Sequence, residues 1–582
     1  MNKDILHTVK SVMGCLLMAS LAAGCAQEDI GTTPTGGGGM SASSYVSFSF
    51  ASLQGAPTRS NPMGGEIGDG LEKGQDYEND ITSAVAFFYQ TSEGNGVNSG
   101  GNTTIKAVVE FNTINKIDET QSGVDRIYAT GAKQIDLENG KYNVLVVANP
   151  GNDKWWTGKS LTLADVRDHI HTAAWTASES GYSNFVMTSA ADATLTLESN
   201  PEDDPATAEV NVERMAARLD YKAEASYTCT DPKYSGATVE ITGAALVNNL
   251  TAGSYLLKRV ADDVNGTNLS YLGDETADAN YVATNYVLDP WTAGKTSANN
   301  SFTIDGEVKT AEDLYGEWFG NISQNPNDWA DYVQPGTEVT VGTEKWQRIG
   351  YTLENTTAAD AAGSDYSTGV VFKAKFNPQG VANYTKGETF FAYGTKIYAS
   401  MEDMMAGFYG SKFADLDKIT NCATWGGVKQ FITSTLLTND PSGYNKYLEG
   451  LADGKNDSEV VADVSSLTWS NYMLNECGYS KDENGKVVLD QNDKVTRIAL
   501  KPYGTRTYED ATCYYTWWVR HSNDNDDTKK GIMEYAIVRN NIYKLTVKSV
   551  YSLGGEVPDD ESLIVDVYVN DWLLLDNETL PM

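Results

Sequence analysis

From Tyr45 to Phe50 the chain reads Tyr-Val-Ser-Phe-Ser-Phe, with Val46, Phe48 and Phe50 on one face and Ser47, Ser49 and Ala51 on the other. A two-residue period is the repeat of an extended strand with one apolar face. Short β-rich runs bounded by Gly, Asn and Asp follow at Ile81–Tyr89, Ile105–Phe111, Tyr142–Ala148, Ala208–Glu213, Ala237–Ile241 and Gly369–Ala374. Near the end, Leu563, Val565, Val567 and Val569 alternate with Ile564, Asp566, Tyr568 and Asn570, which predicts one more strand. Helical signs are few. Thr162–Asp165 and Ser400–Asp403 read as capping boxes, the first followed by Val166 and Ile170 on a short helix, and Tyr444–Leu451 stops near Gly454. Asn484-Gly485 marks a hairpin turn. The pattern predicts an all-β chain with short helical insertions. Its 582 residues imply more than one domain, and Asn200–Ala206, where Pro201 and Pro205 flank three acidic residues, reads as the boundary.

The N-terminus predicts export. Lys3 and Lys10 head an apolar stretch, Ser11–Ala23, too short for a permanent membrane span, which ends in Leu21-Ala22-Ala23-Gly24-Cys25. That pattern predicts a lipoprotein signal peptide over 1–24 and a mature chain beginning at a lipidated Cys25. An ordinary signal peptide with a chance cysteine is the alternative, and either takes the chain out of the cytoplasm. Ala26-Gln27-Glu28-Asp29 resembles the acidic tag that directs Bacteroidota lipoproteins to the outer face of the outer membrane. Ile30–Ser44, rich in Gly, Thr and Ser, reads as a flexible tether. A formal net charge of -36 disfavours nucleic acid as a partner, and membrane attachment falls to the lipid rather than to a basic patch. No later stretch approaches the roughly 20 apolar residues of a span.

After the first strand, Gln54–Arg59 and Ser60–Gly74 form a long connection rich in chain breakers, and Arg59 is the first basic residue after Lys10. A trypsin-like protease acting on the exported chain meets Arg59 first, in the kind of loop where nicking concentrates. The plainer alternative is a loop arginine with no such role. Cys229, Cys422, Cys477 and Cys513 remain after export, too widely spaced for a zinc ribbon or a redox pair; they allow up to two disulfides in any of three pairings, or free buried thiols. Beyond Trp572 the tail carries Leu573, Leu574, Leu575 and Leu580, apolar enough for a chain end to call for a partner.

Catalysis finds no support. His169, His171 and His521 are the histidines left after export, and they read as solvated surface residues, with His169 and His171 diverging at the end of a short helix. Ser522–Asp527 lacks the Gly and Glu placement of an EF-hand, and no Gly-x-Ser-x-Gly, His-Glu-x-x-His or phosphate loop is present. No catalytic residue, metal site or cofactor is therefore assigned. Tyr514, Tyr515, Trp517 and Trp518 could stack on sugars in a surface glycan-binding lipoprotein, or could bury one face of a strand.

Taken in order, the lipobox, the 44–53 strand with Arg59 downstream, Asn143–Asn149, Phe185–Thr188, Val212–Arg218, Val538–Leu545 and the closing Val565–Trp572 strand with its short tail resemble a Bacteroidales fimbrillin. Within that family, the subunits of the type V pilus, the chain is most similar to the major subunit of the Mfa-type short fimbriae. The resemblance implies two transthyretin-like Greek-key β-sandwiches: residues 60–206, and residues 207–582 ending in a donor tail at 573–582. It also implies a lipidated propeptide, 25–59, whose strand is removed when an arginine-specific protease cuts between Arg59 and Ser60. Val46, Phe48 and Phe50 would then be the pocket-filling side chains of the removed strand, and Leu573, Leu574, Leu575 and Leu580 of another copy the candidates to replace them. Implied partners are other copies and accessory fimbrillins, that protease, the outer membrane through the precursor lipid, and a host or bacterial surface ligand. An uncut anchor subunit and a tip subunit are the alternatives within the family.

Overall fold

The computed structural model describes residues 43–51, 70–90, 102–117, 126–257 (apart from 153, 179–180 and 191), 289, 301–304, 307–310, 319–320, 329–355, 367–400, 403, 505–521, 534–558 and 563–573. Strands dominate these residues. The largest sheet runs, in spatial order, Ala107–Phe111, Ala84–Tyr89, Gly140–Ala148, Met187–Ser189, Ala206–Arg214, Ser44–Ala51, Arg126–Thr130 and Ile114–Lys116. Ala193–Leu197 joins it beside Gly140–Ala148, and Lys133–Ile135 beside Ser44–Ala51. Ser44–Ala51 and Ala84–Tyr89 are four places apart in this order, about 19 Å in a flat sheet at the usual strand spacing. Yet the Phe48 and Phe88 ring centroids are 6.1 Å apart. The sheet therefore folds back on itself into two layers, and Val46, Phe48 and Phe50 fill the space between them with Phe88, Phe111, Val144 and Val146.

The outer face of the Ala84–Tyr89 layer is covered as well. Phe87 stacks on Trp155 at 5.6 Å and meets Trp156 edge-on at 6.1 Å. Leu163 and Val166 of the helix Leu163–Arg167 pack there too. The expected capping box starts that helix: the Asp165 N–H donates to Thr162 Oγ1 at 3.3 Å and the Thr162 N–H to Asp165 Oδ2 at 2.7 Å. It ends sooner than expected, because Asp168 caps it and Ile170–His171 turns into a strand paired with Ser254–Tyr255. The Ser400–Asp403 hydrogen bonds form likewise, with the Asp403 N–H donating to Ser400 Oγ at 3.0 Å. Tyr444–Leu451 and Asn484-Gly485 lie outside the described residues.

The chain passes at Met215 from Ala206–Arg214, in the first sheet, to Ala216–Lys222 in a second one. This second sheet has the order Gly70–Lys73, Leu563–Leu573, Asn541–Val550, Ala216–Lys222, Glu344–Leu353, Thr337–Val341. A further sheet, Tyr227–Thr228, Thr238–Val247, Gly369–Asn377, Thr512–Trp518, faces it. Leu219, Tyr221, Tyr543, Leu545 and Val547 pack across the gap on Val239, Phe372, Phe376 and Tyr515. Gly243 is needed at the bulge in Thr238–Val247, since a Cβ there would lie 2.6 Å from the Gln334 carbonyl oxygen. The fold is all-β with short helical insertions, built as stacked sheets around two main cores. The strand Gly70–Lys73, early in the chain, belongs to the sheet formed by its end.

Candidate functional site: the slot of the N-terminal strand

Ser44–Ala51 is an interior strand. Along one edge Val46–Ala51 runs parallel to Ala206–Asn211, and along the other it pairs antiparallel with Lys133–Ile135 and then with Arg126–Ala129. Val46, Phe48 and Phe50 are 0, 1 and 0 % exposed, while Ser47 and Ser49 are half-buried. The expected alternation is present up to Phe50; Ala51 is buried too, at the place where the register of the partner strand steps from Tyr128 to Arg126. Phe48 meets Phe111 edge-on at 5.6 Å. Its backbone N–H donates to the buried Thr130 Oγ1 at 2.9 Å, and the Tyr45 N–H donates to the Asn200 carbonyl at 2.9 Å. Each of the three apolar side chains gains about 1.5–3 kcal/mol from burial.

Both walls of this slot connect to one short stretch, the helix Asp76–Asn79 and the following Asp80. From the Arg126–Thr130 wall, Tyr128 OH donates to Asp80 Oδ1 at 3.1 Å; burial first, then the Asp80 charge, hold the phenol well above its usual range. From the other wall, Arg214 Nε donates to the Glu78 carbonyl at 3.0 Å and its Nη2 to the Asn79 side chain. Burial pulls Arg214 down to about 9 against the opposing pull of Glu78.

The Glu78 carboxylate points to the second sheet, accepting from Arg218 Nη1 at 2.9 Å and from the Tyr351 hydroxyl. Burial dominates its titration and raises it, while Arg218 works the other way. Arg218 also binds Asp220, with Nη2 to Oδ2 at 2.9 Å, and Glu72; Lys544 Nζ reaches Glu72 Oε2 and Asp220 Oδ2, each at 2.9 Å. Burial would lower the Arg218 value, but Asp220, Glu78 and Glu72 together raise it. All these charged side chains are buried, so each depends on its partners in place of water.

Of the residues singled out in the sequence, the structure brings Val46, Phe48 and Phe50 together in one core. Leu573 is the last residue of the strand Leu563–Leu573 and pairs in register with Lys73. Cys25, Arg59, Ser60, Leu574, Leu575 and Leu580 lie outside the described residues, as do Cys422, Cys477 and Ser522–Asp527. Cys229 and Cys513 are free and buried.

The reading of the histidines as solvated is corrected: His171 is 4 % and His521 1 % exposed. His171 is held by the Ile170–His171 strand, and His521 Nδ1 contacts Tyr543 OH at 2.8 Å. His169 stacks on Trp155 at 4.1 Å; burial, then His171 and Lys159, pull it down to about 3. Tyr514, Tyr515 and Trp517 are buried, so the strand is covered on both faces rather than one and these three rings are not a sugar platform; Trp518, at the strand's end, is half-buried. No group of three or more metal-ligating side chains occurs among the described residues, and no described helix is long and apolar enough to cross a membrane.

Residues 506–578 match the sequence family described as major fimbrial subunit protein type IV, fimbrillin, C-terminal. The matched region is a small part of the chain. That region includes the strands Thr512–Trp518, Asn541–Val550 and Leu563–Leu573, hence the partner strand of Gly70–Lys73. No curated protein sequence matches the chain. Among solved structures, a fimbrilin from Porphyromonas gingivalis W83 is similar at 14% identity and a TM-score of 0.32, over 91% of this chain and 98% of that one. The tip fimbrial protein Mfa3 from Porphyromonas gingivalis is similar at 9% identity and a TM-score of 0.30, over 91% and 100%. A candidate cell adhesion protein from Parabacteroides distasonis is similar at 9% identity and a TM-score of 0.36, over 91% and 100%. At these scores the likenesses are distant.

Proposed function

We propose that this chain is a structural subunit of a surface fimbrium that serves adhesion, and that it polymerises by replacing the strand Ser44–Ala51 with a segment of another copy. The observation that carries the reading is the place of that strand. A segment near the chain's start, followed by a breaker-rich connection holding Arg59, supplies the apolar filling of a core and is hydrogen-bonded along both edges. The fimbrillin match over 506–578 supports the same reading for the chain's end.

In this account Cys25 anchors the precursor to the outer membrane, and an arginine-specific protease cuts between Arg59 and Ser60. The freed strand leaves an open slot, and an open slot is an unpaired sheet edge that seeks a strand. Leu573, Leu574, Leu575 and Leu580 of a second copy supply the replacement, by main-chain pairing and alternate side chains in pockets. The contact is head-to-tail and does not close, so it propagates a filament in which two-domain subunits follow one another. The protein works as a structural element and performs no catalysis.

The experiment is the N-terminus of the surface-exposed form by mass spectrometry, beside an unheated denaturing gel of the same sample. Ser60 as first residue with a ladder of oligomers is expected. An acylated Cys25 with a single monomer band would replace the shaft role by that of an uncut anchor.

A further inference from the structure

The slot and the chain's terminal strand are joined by one short piece of backbone. Its helix, Asp76–Asn79, with Asp80 is gripped by both slot walls: by Tyr128 through Asp80, and by Arg214 through the Glu78 carbonyl and the Asn79 side chain. Its preceding strand, Gly70–Lys73, runs parallel to Asn570–Leu573 at the end of the terminal strand. Arg218 ties the two halves of the piece together by binding Glu72 and Glu78 at once, and Lys544 holds Glu72 from Asn541–Val550, on the other side of the terminal strand.

We infer that Gly70–Asp80 is a coupling element that retains the end of the terminal strand while the slot is filled and loosens it when the slot is emptied. The physical reason is the shared Arg218. Phe50 and Ala51 pair with the Tyr128 and Arg126 wall, and Val46–Ala51 with the strand that ends in Arg214. Losing the N-terminal strand leaves the Arg126–Thr130 wall paired with Ile114–Lys116 alone, while Arg214 keeps Met187 opposite it; the position given up is that of Tyr128, the partner of Phe50, whose bond to Asp80 fixes the end of the helix that carries Glu78. A displaced Glu78 leaves Arg218 short of a buried partner, and packed interiors answer such a loss by switching between discrete arrangements rather than by small strain. The set then rearranges around Glu72, whose strand is the edge partner of residues 570–573. The tail of a precursor with a filled slot would thus be withheld, and that of a cut subunit released.

The purpose given to this coupling rests on the proposed strand replacement, but the coupling itself belongs to a single chain and is measured there. Hydrogen exchange read by mass spectrometry on peptides spanning 541–573 compares the full chain, the full chain with Tyr128→Phe, and a chain beginning at Ser60. Exchange at 570–573 should rise by at least about fivefold in Tyr128→Phe, the lower end of ordinary coupling between sites, and further without the strand, while 541–547 keeps its protection. Unchanged exchange at 570–573 in Tyr128→Phe, or an equal rise across the whole of 541–573, would overturn the inference. If the shortened chain does not fold, the Tyr128→Phe comparison still decides. A ladder of oligomers without the exchange change removes the coupling alone; the exchange change in a chain that forms no ladder removes the fimbrial reading and leaves the coupling standing.

Discussion

Truncating Phe48 to alanine should loosen the N-terminal strand far more than any change on its other face. Phe48 is 1 % exposed and lies between Phe88 at 6.1 Å and Phe111 at 5.6 Å, in a core closed on both layers. Removing a buried phenylalanine ring costs about 3–5 kcal/mol, of which the two aromatic contacts are a part. At about 1.4 kcal/mol per factor of ten, local opening of Ser44–Ala51 becomes roughly a hundred to a few thousand times more frequent. Hydrogen exchange of a peptide covering 44–51 in the full chain reads that frequency directly, without requiring a two-state melt of so large a protein. Ser47→Ala, on the half-buried face, should stay within about 0.5 kcal/mol, less than about a threefold change. Equal effects of the two substitutions, or a Phe48→Ala effect below about tenfold, would refute the pocket-filling role given to this strand.

Other consequences are open to direct measurement. Arg218→Leu takes the guanidinium from buried Glu78 and leaves Glu72 and Asp220 to Lys544 alone, and should cost about 3–5 kcal/mol, seen as a lowered thermal transition; an unchanged transition would contradict the network's importance. His169 is held neutral, pulled down to about 3 from 6.5, so the unfolded chain binds the extra proton first. Its contribution to stability is present above pH 6.5 and is lost as the pH falls toward 3. His169→Phe should therefore narrow the gap in stability between pH 7 and pH 4.5 by about 2 kcal/mol, and an identical gap would exclude this group. Burial pushes the Cys513 thiol up to about 12, so maleimide at neutral pH should label Cys513 after denaturation only; labelling of the native chain would show that this core opens.

The alternation at Tyr45–Phe50 and Leu563–Asn570 carried the strands themselves, because a half-buried strand writes its face into every second residue. Their neighbours were out of reach. Ser44–Ala51 lies parallel to Ala206–Asn211, far away in the chain, and no local pattern encodes that pairing. The charged network was missed for a different reason. In Ala216–Lys222, Ala217, Leu219 and Tyr221 fill one core while Arg218 and Asp220 are buried on the opposite face, whereas charged residues in a strand ordinarily mark a solvated side. A signal was present: Arg214, Arg218 and Asp220 occur within a short run that is otherwise largely apolar, which argues for paired rather than exposed charges. His169 and His171 failed on a boundary, since the Asp168 cap ends the helix before His169 and the following strand turns His171 inward.

The claim that another copy's tail takes the place of Ser44–Ala51 is tested most directly by disulfide trapping. Thr207 is exposed and lies opposite Ser47 in the parallel pair, so a cysteine there looks onto the slot edge. Cysteines scanned through 573–580 of a second copy are mixed with it, cut, assembled and oxidised. The account predicts intermolecular crosslinks at a few alternate tail positions, absent from the uncut chain and from copies without the added cysteines. Assembled filaments that form no crosslink anywhere in the scan would contradict it.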